Sequence, residues 1–403
     1  MHVVSSISVI IFATSCLIWI FAAVKDWSLN KTHFLTLILT ILASILAFAY
    51  FYEPNGGDLS RHYELLDKLK QGSWKYAQNK SIYSSLFIYN MFAYVVAKNG
   101  NYALLQTIPL VIDFAVFLYI YLDVLKRNRG NASTISAKDS LFIFFLWICS
   151  FGLKLAVTGI RCVLAVALCA LGIYEEYICR KNKIISIVLY LIALYVHNFT
   201  AWVIVVRLLI YVKKKGAMAM ILFLVLLSGE TVLQFLYDTF NNEYIRYVCS
   251  RVMDTFNEFQ FGGEELQKSG TAFVIMWAGF VLMTGYLVYM ARYVKKYYLQ
   301  TVTLEKEEKQ YCLHLFEFCY TVGCAGLPMA FNYLYMERFM YLVSWAFLMV
   351  AYYYLKTVRA QQKKQDSNFV IMSGMTLVCL FVIFFNDIYI FMVNYIGYYF
   401  LAM

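Results

Sequence analysis

Residues 184–212 read IISIVLYLIALYVHNFTAWVIVVRLLIYV, 29 mostly apolar residues between Arg180, Lys181 and Lys183 on one side and Lys213, Lys214 and Lys215 on the other. Short basic segments beside apolar runs stay on the cytoplasmic side of a membrane. Two such clusters around one run require the chain to enter the bilayer and return within that length. Each arm then holds about 14 residues, or about 21 Å at 1.5 Å per residue, short of the ~30 Å hydrocarbon core. The polar break is Tyr195-Val196-His197-Asn198, in the middle of the run. A short helical hairpin is expected, with His197 at its external tip.

The same alternation runs along the whole chain. Of 403 residues, 62% are hydrophobic and 14% charged, with a mean hydropathy of +0.64. A soluble chain carries about 25% charged residues, so a soluble enzyme, a disordered chain and a nucleic-acid-binding domain are excluded. The net charge of +10 does not point to a polyanion, because most of the 34 basic residues sit in short clusters between apolar runs. The expected fold is all-α: a polytopic integral membrane protein of about 11–14 membrane helices. Spans are expected at 3–24, 34–52, 102–125, 139–156, 159–178, 217–236, 271–290, 311–327, 339–355 and 369–385. The first lacks a basic leader and a clean cleavage site, and reads as a retained helix. The ten cysteines form no C-x-x-C pair and lie mostly in apolar runs, as small buried hydrophobes do.

Residues 1–403 read as one multi-pass membrane domain. Residues 53–101 form an external segment, with an interfacial helix at about 58–70 and a re-entrant stretch at 82–97; the alternative is that 82–97 spans. A second external loop is expected at 238–270, with turns at 152–161 and 328–338.

Polar groups in or beside a bilayer are expensive, so each is a functional candidate. In Glu53-Pro54-Asn55-Gly56-Gly57-Asp58, the proline and glycines stop one helix and Asp58 is placed to cap the next. Leu59, Tyr63, Leu66 and Leu69 then form an apolar stripe at helical spacing, with Asp58, Arg61 and Lys68 opposite, as in a helix resting on the membrane. Asp58 and Arg61 read either as part of that resting helix or as an acid–cation pair facing a lipid phosphate. Arg161, in Thr158-Gly159-Ile160-Arg161-Cys162, either snorkels to headgroups or holds a diphosphate with its planar fork; Lys154 adds a second cation. His197 is either a structural histidine or a proton-transferring group, and His62 is the other candidate histidine. Arg246 and Arg251, interleaved with Tyr244 and Tyr247, suit sugar stacking or an interfacial helix. Glu337 and Arg338 form either a plain ion pair or part of the site.

Other chemistries lack their motifs. The sequence has no phosphate-binding glycine loop, no H-E-x-x-H, no G-x-S-x-G and no D-x-D. No metal or cofactor is expected, and cations are left to neutralise phosphate charge.

The motifs Gly57-Asp58-Leu59-Ser60-Arg61-His62-Tyr63, Thr158 to Ala165, Tyr195 to Asn198 and Glu337-Arg338-Phe339-Met340-Tyr341 follow one another in an order that resembles the EpsG/Wzy-type polysaccharide polymerases. The resemblance covers roughly residues 50–345. It departs from the family pattern at Cys162, at Asn198-Phe199 and at Ser60-Arg61-His62. It implies a metal-independent polymerase of undecaprenyl-diphosphate-linked oligosaccharides, resembling C-type glycosyltransferases. Such a protein works at the outer face of a bacterial plasma membrane, among membrane lipids, and alongside a chain-length regulator and a flippase. On this reading Arg161, with Arg61, Arg338, Lys154, Arg246 or Arg251, binds the diphosphate, and His197 or Asp58 takes the acceptor proton. Tyr63, His62, Tyr244, Tyr247, Glu337 and Tyr341 line sugar subsites. The rival class is a flippase of the same lipid-linked sugar; a third is another lipid-sugar transferase or ligase.

The topology is tested by labelling Ser73→Cys and Ser133→Cys in intact cells with an impermeant thiol reagent. Labelling is expected at position 73 and not at 133. The reverse pattern would overturn the assigned orientation.

Overall fold

The computed structural model describes residues 2–25, 28–52, 57–75, 86–128, 134–179, 183–239, 241, 246, 264–301, 305–360 and 374. In chain order the helices are α1 (His2–Val24), α2 (Lys31–Phe51), α3 (Gly57–Gln71), α4 (Phe87–Asn99), α5 (Leu104–Asn128), α6 (Ala137–Phe151) and α7 (Leu153–Thr158). Then follow α8 (Ile160–Tyr174), α9 (Lys183–Val196), α10 (Thr200–Leu208), α11 (Lys215–Thr239), α12 (Glu264–Thr301), α13 (Lys306–Met329) and α14 (Tyr333–Ala360). The fold is all-α apart from one ribbon, β1 (Ser28–Asn30) with β2 (Thr134–Ser136). A helix pairs its backbone polar groups internally, which is what a chain this apolar needs in a bilayer. Among the described residues, α1, α2, α5, α14 and the helical stretch Ile160–Cys179 that begins with α8 are long and apolar enough to cross a membrane, and shorter apolar segments are Lys183–Val196, Thr200–Tyr211 and Lys215–Leu224.

The hairpin expected at 184–212 is present: α9 and α10 are separated only by His197, Asn198 and Phe199. The expected spans 271–290 and 311–327 fall within α12 and α13; 369–385, position 374 apart, lies outside the described residues. In the ribbon, Ser28 faces Ser136 and Asn30 faces Thr134, so the segments after α1 and after α5 meet at one end of the bundle.

One expectation is corrected. The apolar stripe of α3 does not rest on lipid. Leu59, Leu66 and Leu69 are buried, and Leu66 and Leu69 share one apolar cluster with Tyr89, Ala93, Val96 and Ala97 of α4. A stripe at helical spacing records that a face is covered, not what covers it. Lys98 at the end of α4 also caps α3, donating to the carbonyls of Lys70 at 2.8 Å and Gly72 at 3.0 Å.

Aromatic rings fill the main core: Trp147 stacks on Phe117 with centroids 4.1 Å apart and on Phe151 at 4.8 Å. Small residues bring α12 and α13 together. A Cβ on Gly323 would stand 2.6 Å from Val288 Cγ2 and 3.1 Å from the Val288 backbone nitrogen. Ion pairs tie further helices. Arg207 of α10 binds Glu176, which also accepts from Tyr190 at 3.0 Å. Glu317 of α13 lies 3.3 Å from Lys215 and is bonded to Lys295.

Gly323→Ala is therefore expected to lower the thermal midpoint in detergent by several degrees, since overpacking costs about 1–3 kcal/mol. Gly285→Ala, where a Cβ meets nothing within 4 Å, is expected to leave the midpoint unchanged or raise it. Equal losses in both variants would contradict close packing at Gly323.

Candidate functional site

The helix α3 begins at Gly57 and carries Asp58 in its first turn, where a carboxylate meets the positive end of the helix dipole. One turn on, His62 is turned inward and fully buried, while Arg61 is exposed. His62 Nε2 lies 3.4 Å from Asp58 Oδ2. On its other side, His62 Nδ1 lies 2.7 Å from the hydroxyl of Tyr89, supplied by α4. Arg161, in the first turn of α8, brings Nη2 to 4.0 Å from Asp58 Oδ2. The Arg161 guanidinium also sits 5.2 Å over the Tyr89 ring. Three helices thus meet through four polar side chains.

Burial by itself pushes the Asp58 carboxyl up, but the His62 hydrogen bond and the charges of His62, Arg161 and Arg61 outweigh it and bring the pKa down to about 2. Burial, aided by the charges of Arg161 and Arg61, lowers the His62 pKa below the usual histidine value, against the pull of Asp58. His62 is therefore neutral at pH 7. A neutral imidazole beside a carboxylate carries its proton on the facing nitrogen. Nε2–H then points at Asp58, and Nδ1 accepts the Tyr89 hydroxyl proton.

His197 is buried at the break between α9 and α10. The backbone N–H of Phe199 donates to its Nδ1 at 3.0 Å. Its ring proton accordingly sits on Nε2, which makes that nitrogen a donor rather than a base. The charges acting on His197 are Arg161, Arg338 and Asp58, with His62. Cys162, next to Arg161, lies within electrostatic reach of Arg338, Glu337 and Asp113. Positions 58, 161, 197 and 338, spread over 280 residues of sequence, therefore share one neighbourhood.

Other expected site residues lie elsewhere or play other parts. His62 is held between Asp58 and Tyr89. The ion-pair partner of Asp58 is Arg161, not Arg61. Tyr63 donates to Gln106 Oε1 at 2.7 Å. Tyr341 is buried edge-on to Phe151, with centroids 5.8 Å apart, because its position about two turns into α14 faces the core. Arg246 donates to the Tyr237 carbonyl at 3.3 Å and lies 5.6 Å over that ring, at the end of α11. Tyr244, Tyr247 and Arg251 lie outside the described residues, as does the side chain of Lys154.

Two residues escaped the sequence reading. Asp113 of α5 is fully buried, with neither carboxyl oxygen hydrogen-bonded among the described residues; its signal was a lone acid in an apolar run. Tyr89 gave no signal, being one of 35 tyrosines.

A family model described as the EpsG family matches residues 33–399. No curated protein and no solved structure matches the chain.

The network has a pH signature. The His62 pKa is lowered on folding, so its contribution to stability is fully present above about pH 6.5 and is lost as the pH falls through the depressed folded value. The thermal midpoint is expected to drop between pH 7 and pH 5, and His62→Gln is expected to flatten that drop. An unchanged pH curve in His62→Gln would contradict a buried neutral imidazole.

Proposed function

The chain belongs to the EpsG family, and on that premise we propose that it is a polysaccharide polymerase acting on undecaprenyl-diphosphate-linked oligosaccharides. It transfers the growing glycan from its lipid diphosphate to a hydroxyl of an incoming lipid-linked unit, at the outer face of the plasma membrane. A flippase and a chain-length regulator of the same pathway are its expected partners. The observation that carries this reading is the gathering of Arg161, Arg338, Asp58 and His197 at the ends of apolar helices. A lipid diphosphate has matching parts: an apolar tail for the bilayer and a negatively charged head.

Each residue has a chemical task on this reading. Arg161 and Arg338 bind the diphosphate, and the fork of Arg161 is suited to two phosphate oxygens at once. As the sugar–oxygen bond breaks, negative charge grows on the departing diphosphate. Fixed guanidiniums lower the barrier by meeting that charge without reorganising. His197 Nε2–H donates a hydrogen bond to a phosphate oxygen. Asp58 holds the Arg161 guanidinium in place until the donor arrives.

Deleting the gene in its host and resolving the surface polysaccharide by size tests the reading. Loss of the long-chain ladder, with single units persisting on lipid or at the surface, is the expected result. An unchanged ladder would overturn it for that polymer, and lipid-linked units trapped on the cytoplasmic side would favour a flippase. Arg161→Lys keeps the charge and loses the fork. It is expected to lower polymerisation about 100-fold at normal expression. Wild-type turnover in that variant would remove Arg161 from the mechanism.

A further inference from the structure

We propose that Tyr89, His62 and Asp58 form a proton relay, and that the Tyr89 oxygen is the atom that takes the proton from the acceptor sugar hydroxyl. The inference rests on the polymerase reading above and names the base which that reading leaves open.

Elimination comes first. A base works best with a pKa near the operating pH. Asp58, held at about 2, is too weakly basic to act alone. His197 already carries its proton on Nε2, and its Nδ1 is engaged by the Phe199 backbone. His62 has the right chemistry, but it is fully buried and both ring nitrogens face protein partners. Among the described residues, the group hydrogen-bonded to its Nδ1 is the Tyr89 hydroxyl, on a side chain itself buried between α3 and α4.

The order of groups then matches a familiar logic. In a Ser-His-Asp triad, a hydroxyl faces one imidazole nitrogen and a carboxylate faces the other. Here a phenol stands in the hydroxyl position, 2.7 Å from Nδ1, and Asp58 stands 3.4 Å from Nε2. The Arg161 guanidinium over the Tyr89 ring favours negative charge on that phenol.

The step balances. The acceptor oxygen forms a bond to the anomeric carbon, and the bond from that carbon to the phosphate oxygen breaks, its electron pair leaving with the diphosphate. The acceptor proton passes to the Tyr89 oxygen as the Tyr89 proton passes to His62 Nδ1. The imidazolium so formed is countered by the Asp58 carboxylate. The groups that set its titration are Asp58 and Arg61 on its own helix, Tyr89 on α4, Arg161 on α8 and His197 at the hairpin tip.

The test uses full-length protein reconstituted with lipid from a host deleted for its gene, which supplies the accumulated lipid-linked units. Initial polymerisation rates are measured from pH 5 to 8.5. The wild-type rate is expected to fall on the acid side as His62 becomes protonated. Tyr89→Phe keeps the ring under Arg161 and is expected to lose about 100-fold in kcat, with KM within about threefold of wild type. It should also lose the acid limb. His62→Gln is expected to behave alike, and the double variant to be no slower than either single one, as groups acting as a unit are. Tyr89→Phe polymerising within about threefold of wild type, or keeping the acid limb, would overturn the relay while leaving the polymerase reading intact. Wild-type protein that makes no polymer from this lipid would overturn both. If Tyr89→Phe does not fold, His62→Gln decides alone: an acid limb retained there overturns the relay.

Discussion

A guanidinium at the mouth of an apolar bundle needs a counter-charge, and in this protein the contact between Arg161 and Asp58 supplies it. The rest of the site follows from that requirement. Asp58 can face Arg161 only if α3 folds back over the start of α8, and α3 can do so only if its apolar stripe is covered. Helix α4 provides the cover, and with it the Tyr89 ring beneath Arg161 and the hydroxyl against His62. The ion pair and the packing of two short helices thus belong together, and the burial that this packing brings keeps His62 neutral.

The opposite end of several helices is held by charges of another kind. Arg207 on Glu176 joins the hairpin to the turn after α8, and Lys215 and Lys295 on Glu317 join α11 and α12 to α13. Those carboxylates are matched by cations within the protein. At the site end the balance differs: Arg161, Arg338 and Arg61 stand against Asp58 and Glu337, with Asp113 buried below. Fixed guanidinium charge is what an anionic headgroup needs. Placing it where apolar helices end lets the headgroup's tail remain in lipid.

Much of this was legible in the sequence, for a physical reason. Arg161, His197 and Arg338 stood out because cations and imidazoles are rare beside apolar runs, and the hairpin was legible from the basic clusters at both of its ends. Asp113 and Arg207 carried the same signal and were passed over. Tyr89 could not be read, because its meaning depends on α4 closing over α3, and nothing local distinguishes it from other interfacial tyrosines. For the same reason the packing of Tyr341 against Phe151 could not be read. Helical periodicity announces a buried face but not its partner, so the stripe on α3 was assigned to lipid when protein covers it.

The central claim is that Arg161 holds a lipid diphosphate, and binding tests it without any chemistry. Purified protein in detergent is titrated with undecaprenyl diphosphate, and separately with undecaprenyl monophosphate, and the thermal midpoint is followed. The account requires the diphosphate to raise the midpoint more than the monophosphate, and the difference to vanish in Arg161→Ala. Equal stabilisation of wild type and Arg161→Ala by the diphosphate would contradict it.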